Sequence, residues 1–187
     1  MDSTNEDLEG SKDEGQIIVL LIPDEEYSRR ILKITKEIAN VCDNLCYVSL
    51  NLPYAPLINN FKKEGIDISK FYVIDGITQT AEIAKNRDGV EYVSSPGALT
   101  ELSLAISHLL ETRKFEYIIF DSLSTLLVYE ASPTVTKFVH SLMAKIRVVG
   151  CKAIFTCLKQ DSSSVLLKDV NMFSDRILDA EYWGRKN

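Results

Sequence analysis

The sequence predicts an α/β protein of three layers, a mostly parallel sheet covered by helices on both faces. Three observations carry that expectation. Short β-branched and aromatic runs alternate with segments whose apolar residues step by three and four. The segments between strands are about ten residues long or more, enough for the right-handed crossover that joins parallel neighbours. The strand candidates are apolar almost throughout, as strands buried on both faces are.

Taken in order, Ile17 to Ile22 is a β-branched run of strand length, and Asp24 is placed to cap a helix carrying Ile31, Ile34, Ile38 and Val41 on one face. Leu45 to Leu50 is a second strand. Pro53 opens a helix with Leu57, Ile58 and Phe61 facing inward, and Gly65 stops it. Lys70 to Ile74 is the third strand. Asp75 to Asp88 shows no clear period, and Val90 to Ser94 reads as a short extra or edge strand. After the turn Ser94-Ser95-Pro96-Gly97, expected to cap rather than to bind an anion, Leu99, Leu102, Ile106 and Leu109 mark an amphipathic helix. Glu116 to Asp121 is the central strand. A helix with Val135, Phe138, Val139, Leu142, Met143 and Ile146 ends at Gly150, Lys152 to Leu158 is another strand, and Phe173 to Glu181 adds an edge strand.

Composition narrows the function classes. At 187 residues, 45% hydrophobic and 26% charged, the chain is ordinary for one globular domain, expected over residues 16–187. Of the net charge of −6, most falls in Met1 to Gly15, where six acids stand against Lys12; this stretch is expected to be a disordered acidic tail. A pI near 5.0 argues against a broad nucleic-acid footprint, which needs clustered Lys and Arg. No apolar run approaches the ~18 residues of a membrane span, and the N-terminus is acidic where a signal peptide is basic, so a cytoplasmic protein is expected. Cys42, Cys46, Cys151 and Cys157 lack metal-ligand spacing and a neighbouring His; they read as buried thiols. His140 has no recognisable nucleophile or acid beside it and reads as surface or packing. The Ser162-Ser163-Ser164 run reads as a mobile loop.

The chemistry-bearing residues collect at the carboxyl ends of the strands, where open α/β sheets bind ligands. Tyr117-Ile118-Ile119-Phe120-Asp121-Ser122 reads as a strand ending in a metal-side aspartate. A phosphate-binding loop needs glycines, a Lys and a Ser or Thr that holds magnesium. After the first strand the chain offers Pro23-Asp24-Glu25-Glu26-Tyr27-Ser28 instead. Three carboxylates there would repel a triphosphate. Asp24, Asp75 and Asp121, with Thr156 and Lys159, also faintly resemble the acidic pocket of a phosphoacceptor receiver domain, but such domains are shorter than this chain.

The segment Tyr117 to Leu127 resembles the Walker B segment of the RecA superfamily, more narrowly its archaeal KaiC-like and RadA-like branch. Cys46-Tyr47-Val48-Ser49-Leu50, and Asn60 to Asp67 with Phe71-Tyr72-Val73-Ile74-Asp75, resemble the elements that precede it, so the likeness runs from about Gln16 to Glu181. The chain also resembles small stand-alone archaeal proteins that keep this core without a P-loop. The family's P-loop Lys and Thr have no counterpart. Its catalytic Glu would fall near Asn51 or Leu52, neither of which takes a proton from water. The resemblance therefore implies a non-catalytic, degenerate module, a pseudo-ATPase acting through protein partners such as a related ATPase, itself or a signalling component. No cofactor is expected. The alternative is an atypical nucleotide-binding protein or slow ATPase in which Asp121 holds magnesium with bound ATP, and Ser49, Asn51 and Ser122 surround a vestigial nucleotide cleft.

Overall fold

Apolar segments with β-branched and aromatic side chains pair into one sheet in the computed structural model, which describes residues 16–85 and 87–183. The acidic stretch expected to be a tail lies outside the described residues. The strands are β1 (Ile17–Ile22), β2 (Leu45–Ser49), β3 (Phe71–Asp75), β4 (Val90–Tyr92), β5 (Tyr117–Asp121), β6 (Lys152–Leu158) and β7 (Arg176–Asp179). Their order is β4-β3-β2-β5-β6-β1-β7, and every neighbouring pair is parallel.

Helices α1 (Tyr27–Val41) and α2 (Tyr54–Lys63) cover one face of the sheet. On the other face lie α3 (Leu99–Thr112), α4 (Leu123–Tyr129), α5 (Ser132–Val148) and α6 (Val165–Val170). The expected three-layer α/β architecture is what the chain adopts. The period of three and four places Ile31, Ile34 and Ile38 of α1 and Leu57, Ile58 and Phe61 of α2 in one core. Leu102, Ile106 and Leu109 of α3 and Val135, Val139, Leu142 and Ile146 of α5 fill the other. Phe120 of β5 and Phe155 of β6 stack in that second core with ring centroids 5.2 Å apart.

The boundaries differ from expectation in informative places. Asp24 does not cap α1: Asp24–Glu26 forms a single 3₁₀ turn, and the residue preceding the helix, Glu26, makes no side-chain cap bond. Lys70 ends a 3₁₀ turn before β3, and Leu50 lies beyond β2. Gly65 and Gly150 sit at φ +69° and +71°, the left-handed conformation that ends α2 and α5. The serine run lies at the end of a 3₁₀ turn over Lys159–Ser163, and Ser164 caps α6 by accepting from the Leu167 N–H at 3.3 Å. Ser94 does not cap α3; its N–H and hydroxyl both donate to Glu101 in the first turn of that helix.

Cys46, Cys151 and Cys157 are buried and Cys42 partly so, all as free thiols. Burial pushes the Cys157 thiol up to about 11 and Cys151 to about 12, which keeps both protonated. His140 lies against Phe173, ring centroids 4.9 Å apart. No helix among the described residues is long and apolar enough to cross a membrane.

Candidate functional site

The chain turns outward in opposite directions from β2 and β5: β2 leads toward β3 and β4, and β5 toward β6. Connections that diverge from adjacent strands leave a crevice at the strand carboxyl ends. There a cleft of about 900 Å³ opens, lined from β1 by Asp24 and Tyr27, from β2 by Tyr47, Asn51 and Leu52, from β5 by Asp121 and Ser122, and from β6 by Leu158 and Asp161.

Asp121 lies at its floor, only 3% exposed. Its carboxylate accepts three hydrogen bonds from neutral side chains: Tyr27 Oη at 2.6 Å and Asn51 Nδ2 at 2.5 Å on Oδ1, and Tyr47 Oη at 2.7 Å on Oδ2. These donors belong to different parts of the chain. Tyr27 starts α1, Tyr47 lies within β2, and Asn51 follows β2. In the β2–β5 register Ser49 stands opposite Asp121, so Tyr47, two residues earlier, projects from the same face as Asp121. The Tyr47 ring is fixed by an edge-on contact with Phe61 of α2, centroids 5.4 Å apart.

Further contacts orient the donors. Thr156 Oγ1 of β6 lies 2.6 Å from Tyr27 Oη, and the Thr125 hydroxyl donates to Asn51 Oδ1, which turns the amide N–H toward Asp121. Burial pushes the Asp121 carboxyl above its ordinary value, while the bonds from Tyr27, Tyr47 and Asn51 pull it the other way. Burial first, and the charge of Asp121 second, push both tyrosine hydroxyls well up, so each remains a donor.

The acidic loop after β1 is partly satisfied from within. Glu26 pairs with Arg29 at 3.0 Å and with Arg30, and the Arg30 hydrogen bond holds the Glu26 carboxyl below its ordinary value. Arg30 also donates to the Ala180 carbonyl at 3.1 Å. Asp24 and Asp161 line the cleft with carboxylates that form no hydrogen bond or ion pair among the described residues. Among the described residues that line the cleft there is no Lys, Arg or His.

Of the residues singled out by sequence, Asp121, Ser122 and Asn51 do meet in the cleft. Ser122 Oγ accepts from the Thr125 N–H at 3.3 Å and caps α4; the Asp121–Ser122 peptide is cis. Ser49 is elsewhere: fully buried, it donates to the Leu52 carbonyl at 2.6 Å and is not among the cleft residues. Asp75 is also apart, its oxygens taken up by the Ile77 and Thr78 N–H groups and the Thr78 hydroxyl of the loop after β3 and by the Tyr54 N–H at the start of α2. Lys159 pairs with Asp179 and Glu181, which ties the end of β6 to β7. The receiver-like constellation is therefore not assembled. As a metal ligand Asp121 stands without help from other acids: no group of three or more His, Cys, Asp or Glu side chains among the described residues could hold a metal ion.

Sequence reasoning missed Tyr27 and Tyr47, the two hydroxyls that take up Asp121. The available signal was a phenol in the loop where a phosphate-binding loop would stand, and another inside an otherwise apolar strand.

Comparisons with known proteins agree with this architecture. A solved KaiC-like protein from the hyperthermophilic archaeon Pyrococcus horikoshii OT3 is similar in structure, with a TM-score of 0.62 and 14% sequence identity over 89% of this chain and 72% of the other. At that identity the likeness shows a shared RecA-like fold. No curated protein matches the chain. The profile of a family of unknown function, DUF7504, matches residues 64–177, a span that holds Asp121 but not Tyr27, Tyr47 or Asn51. Since that span is well over half of the sequence, the protein belongs to this family of unknown function.

Proposed function

We propose that this protein is a non-catalytic RecA/KaiC-like module, a pseudo-ATPase that works through protein–protein contacts, with a related ATPase, a second copy of the chain or a signalling component as its partner. One observation carries the reading: three neutral donors of the chain itself occupy Asp121, the residue that in the ATPase plan faces magnesium. Tyr27, the first residue of α1, directly after the acidic turn that stands in place of a phosphate-binding loop, supplies one of them. Among the described residues the cleft adds carboxylates and no cation, so a triphosphate entering it would meet repulsion without compensation there. By the resemblance to the RecA superfamily, that superfamily's catalytic Glu would fall near Asn51 or Leu52, and neither is a base.

A second reading, an atypical nucleotide-binding protein or slow ATPase, draws on the position and size of the cleft, at the strand ends where α/β sheets hold ligands. Calorimetric titration with ATP, with and without magnesium, separates the two. The expected result is no saturable binding by the wild-type chain. Saturable, magnesium-dependent binding that is lost in Asp121→Asn would replace the first reading with the second.

A further inference from the structure

We propose that the cleft at the carboxyl ends of β1, β2, β5 and β6 is a docking groove for a protein segment in which an apolar side chain stands beside a Lys or Arg. The proposal rests on the reading of this protein as an interaction module and names the chemistry of its partner.

Charge selects the basic residue. Asp24 follows β1 and Asp161 follows β6, adjacent strands in register at Ile22 and Leu158, and both carboxylates line the cleft at that end of the sheet. Neither has a hydrogen-bond or ion-pair partner among the described residues, and no Lys, Arg or His lines the cleft to neutralise them. A cation from outside would complete what the chain leaves open, its aliphatic stem lying on apolar wall such as Leu158.

Exposed apolar surface selects the neighbouring side chain. At the lip, Val128 is 81% exposed, Tyr129 49% and Leu52 36%. The two residues of α4 stand outward at the mouth instead of closing over it. A lip of this kind suits a side chain that arrives on another protein's surface, with the rest of that surface covering Val128 and Tyr129, better than a small metabolite that must be enclosed to be held. At the floor the three donors Tyr27, Tyr47 and Asn51 are already engaged by Asp121.

The test uses the full chain as bait for a random peptide library displayed on phage, followed by calorimetry of the enriched peptides made synthetically. The expected sequences join a Leu, Ile, Val or aromatic residue to a Lys or Arg. Their affinity should fall about tenfold in the double variant Asp24→Asn/Asp161→Asn, the size of two exposed ion pairs, and that difference should shrink at high salt. Val128→Ser should weaken them several-fold. Glu64→Gln, a surface acid beyond α2, should leave them unchanged. Enrichment of acidic or uncharged sequences, of peptides indifferent to the double variant, or of nothing overturns the docking proposal while leaving the interaction reading in place. Saturable magnesium–ATP binding in the same cleft overturns both.

Discussion

Asp75 and Asp121 end the strands on either side of β2, and both are buried, yet they are satisfied in opposite ways. Asp75 collects four bonds, three of them from backbone N–H groups, and the Ile77 and Thr78 donors lie within three residues of it. It shapes the turn that follows its own strand. Asp121 collects only side-chain donors, and they come from 70 to 94 positions away. A carboxylate of the first kind is chiefly a local turn device, with one further bond to the start of α2. One of the second kind is a joint between α1, β2 and β5, placed at the floor of the cleft.

That contrast predicts a ranking of stabilities. Asp121→Ala should be the most damaging change, roughly 3–5 kcal/mol in urea unfolding, because it leaves two phenols and an amide without their shared acceptor at the floor of the cleft. Asp75→Ala should cost about 2–3 kcal/mol, since the loop it organises can shift and hydrate some of the freed N–H groups. If the order were reversed, Asp121 would not be the joint described above. Tyr47→Phe should follow at about 1–2 kcal/mol, with one buried bond lost and the ring packing on Phe61 kept. Tyr27→Phe should cost less, about 1 kcal/mol, because Tyr27 is only half-buried and water can replace its hydroxyl.

The pH dependence sharpens the same comparison. The folded carboxyl of Asp121 lies above its unfolded value near 4, so its contribution to stability is complete below about pH 4 and is lost as pH rises through the folded pKa. The stability of the wild type relative to Asp121→Asn should therefore fall with rising pH above 4, by at most about 1.4 kcal/mol per pH unit. Chemical unfolding of both proteins between pH 4 and 8 reads it out. A relative stability that climbs with pH would mean that the hydrogen bonds outweigh burial at Asp121.

Much of the fold was legible because burial on both faces writes long apolar runs into strands, and one buried stripe writes the three-and-four period into helices. β1, β5 and β6 and the inward faces of α1, α2, α3 and α5 follow that rule directly. The two short helices were not legible. α4 has seven residues and α6 six, too few to show a period, and each is set by a serine cap, Ser122 or Ser164, at its start. The candidate site was legible only in part. Asp121, Ser122 and Asn51 follow from their places at strand ends, but Ser49, equally well placed in sequence, turns back to the Leu52 carbonyl.

The sequence by itself determined the alternation of strands and helices, and it removed the glycines and the lysine from the loop after the first strand. Those are local facts of residue type and spacing. Which groups would meet Asp121 was decided by the tertiary structure, through the strand order that sets β2 beside β5 and brings the start of α1 over their ends. A tyrosine in an apolar strand looks like core until that order is known, because its ring is core; only the position of the neighbouring strand shows where its hydroxyl goes.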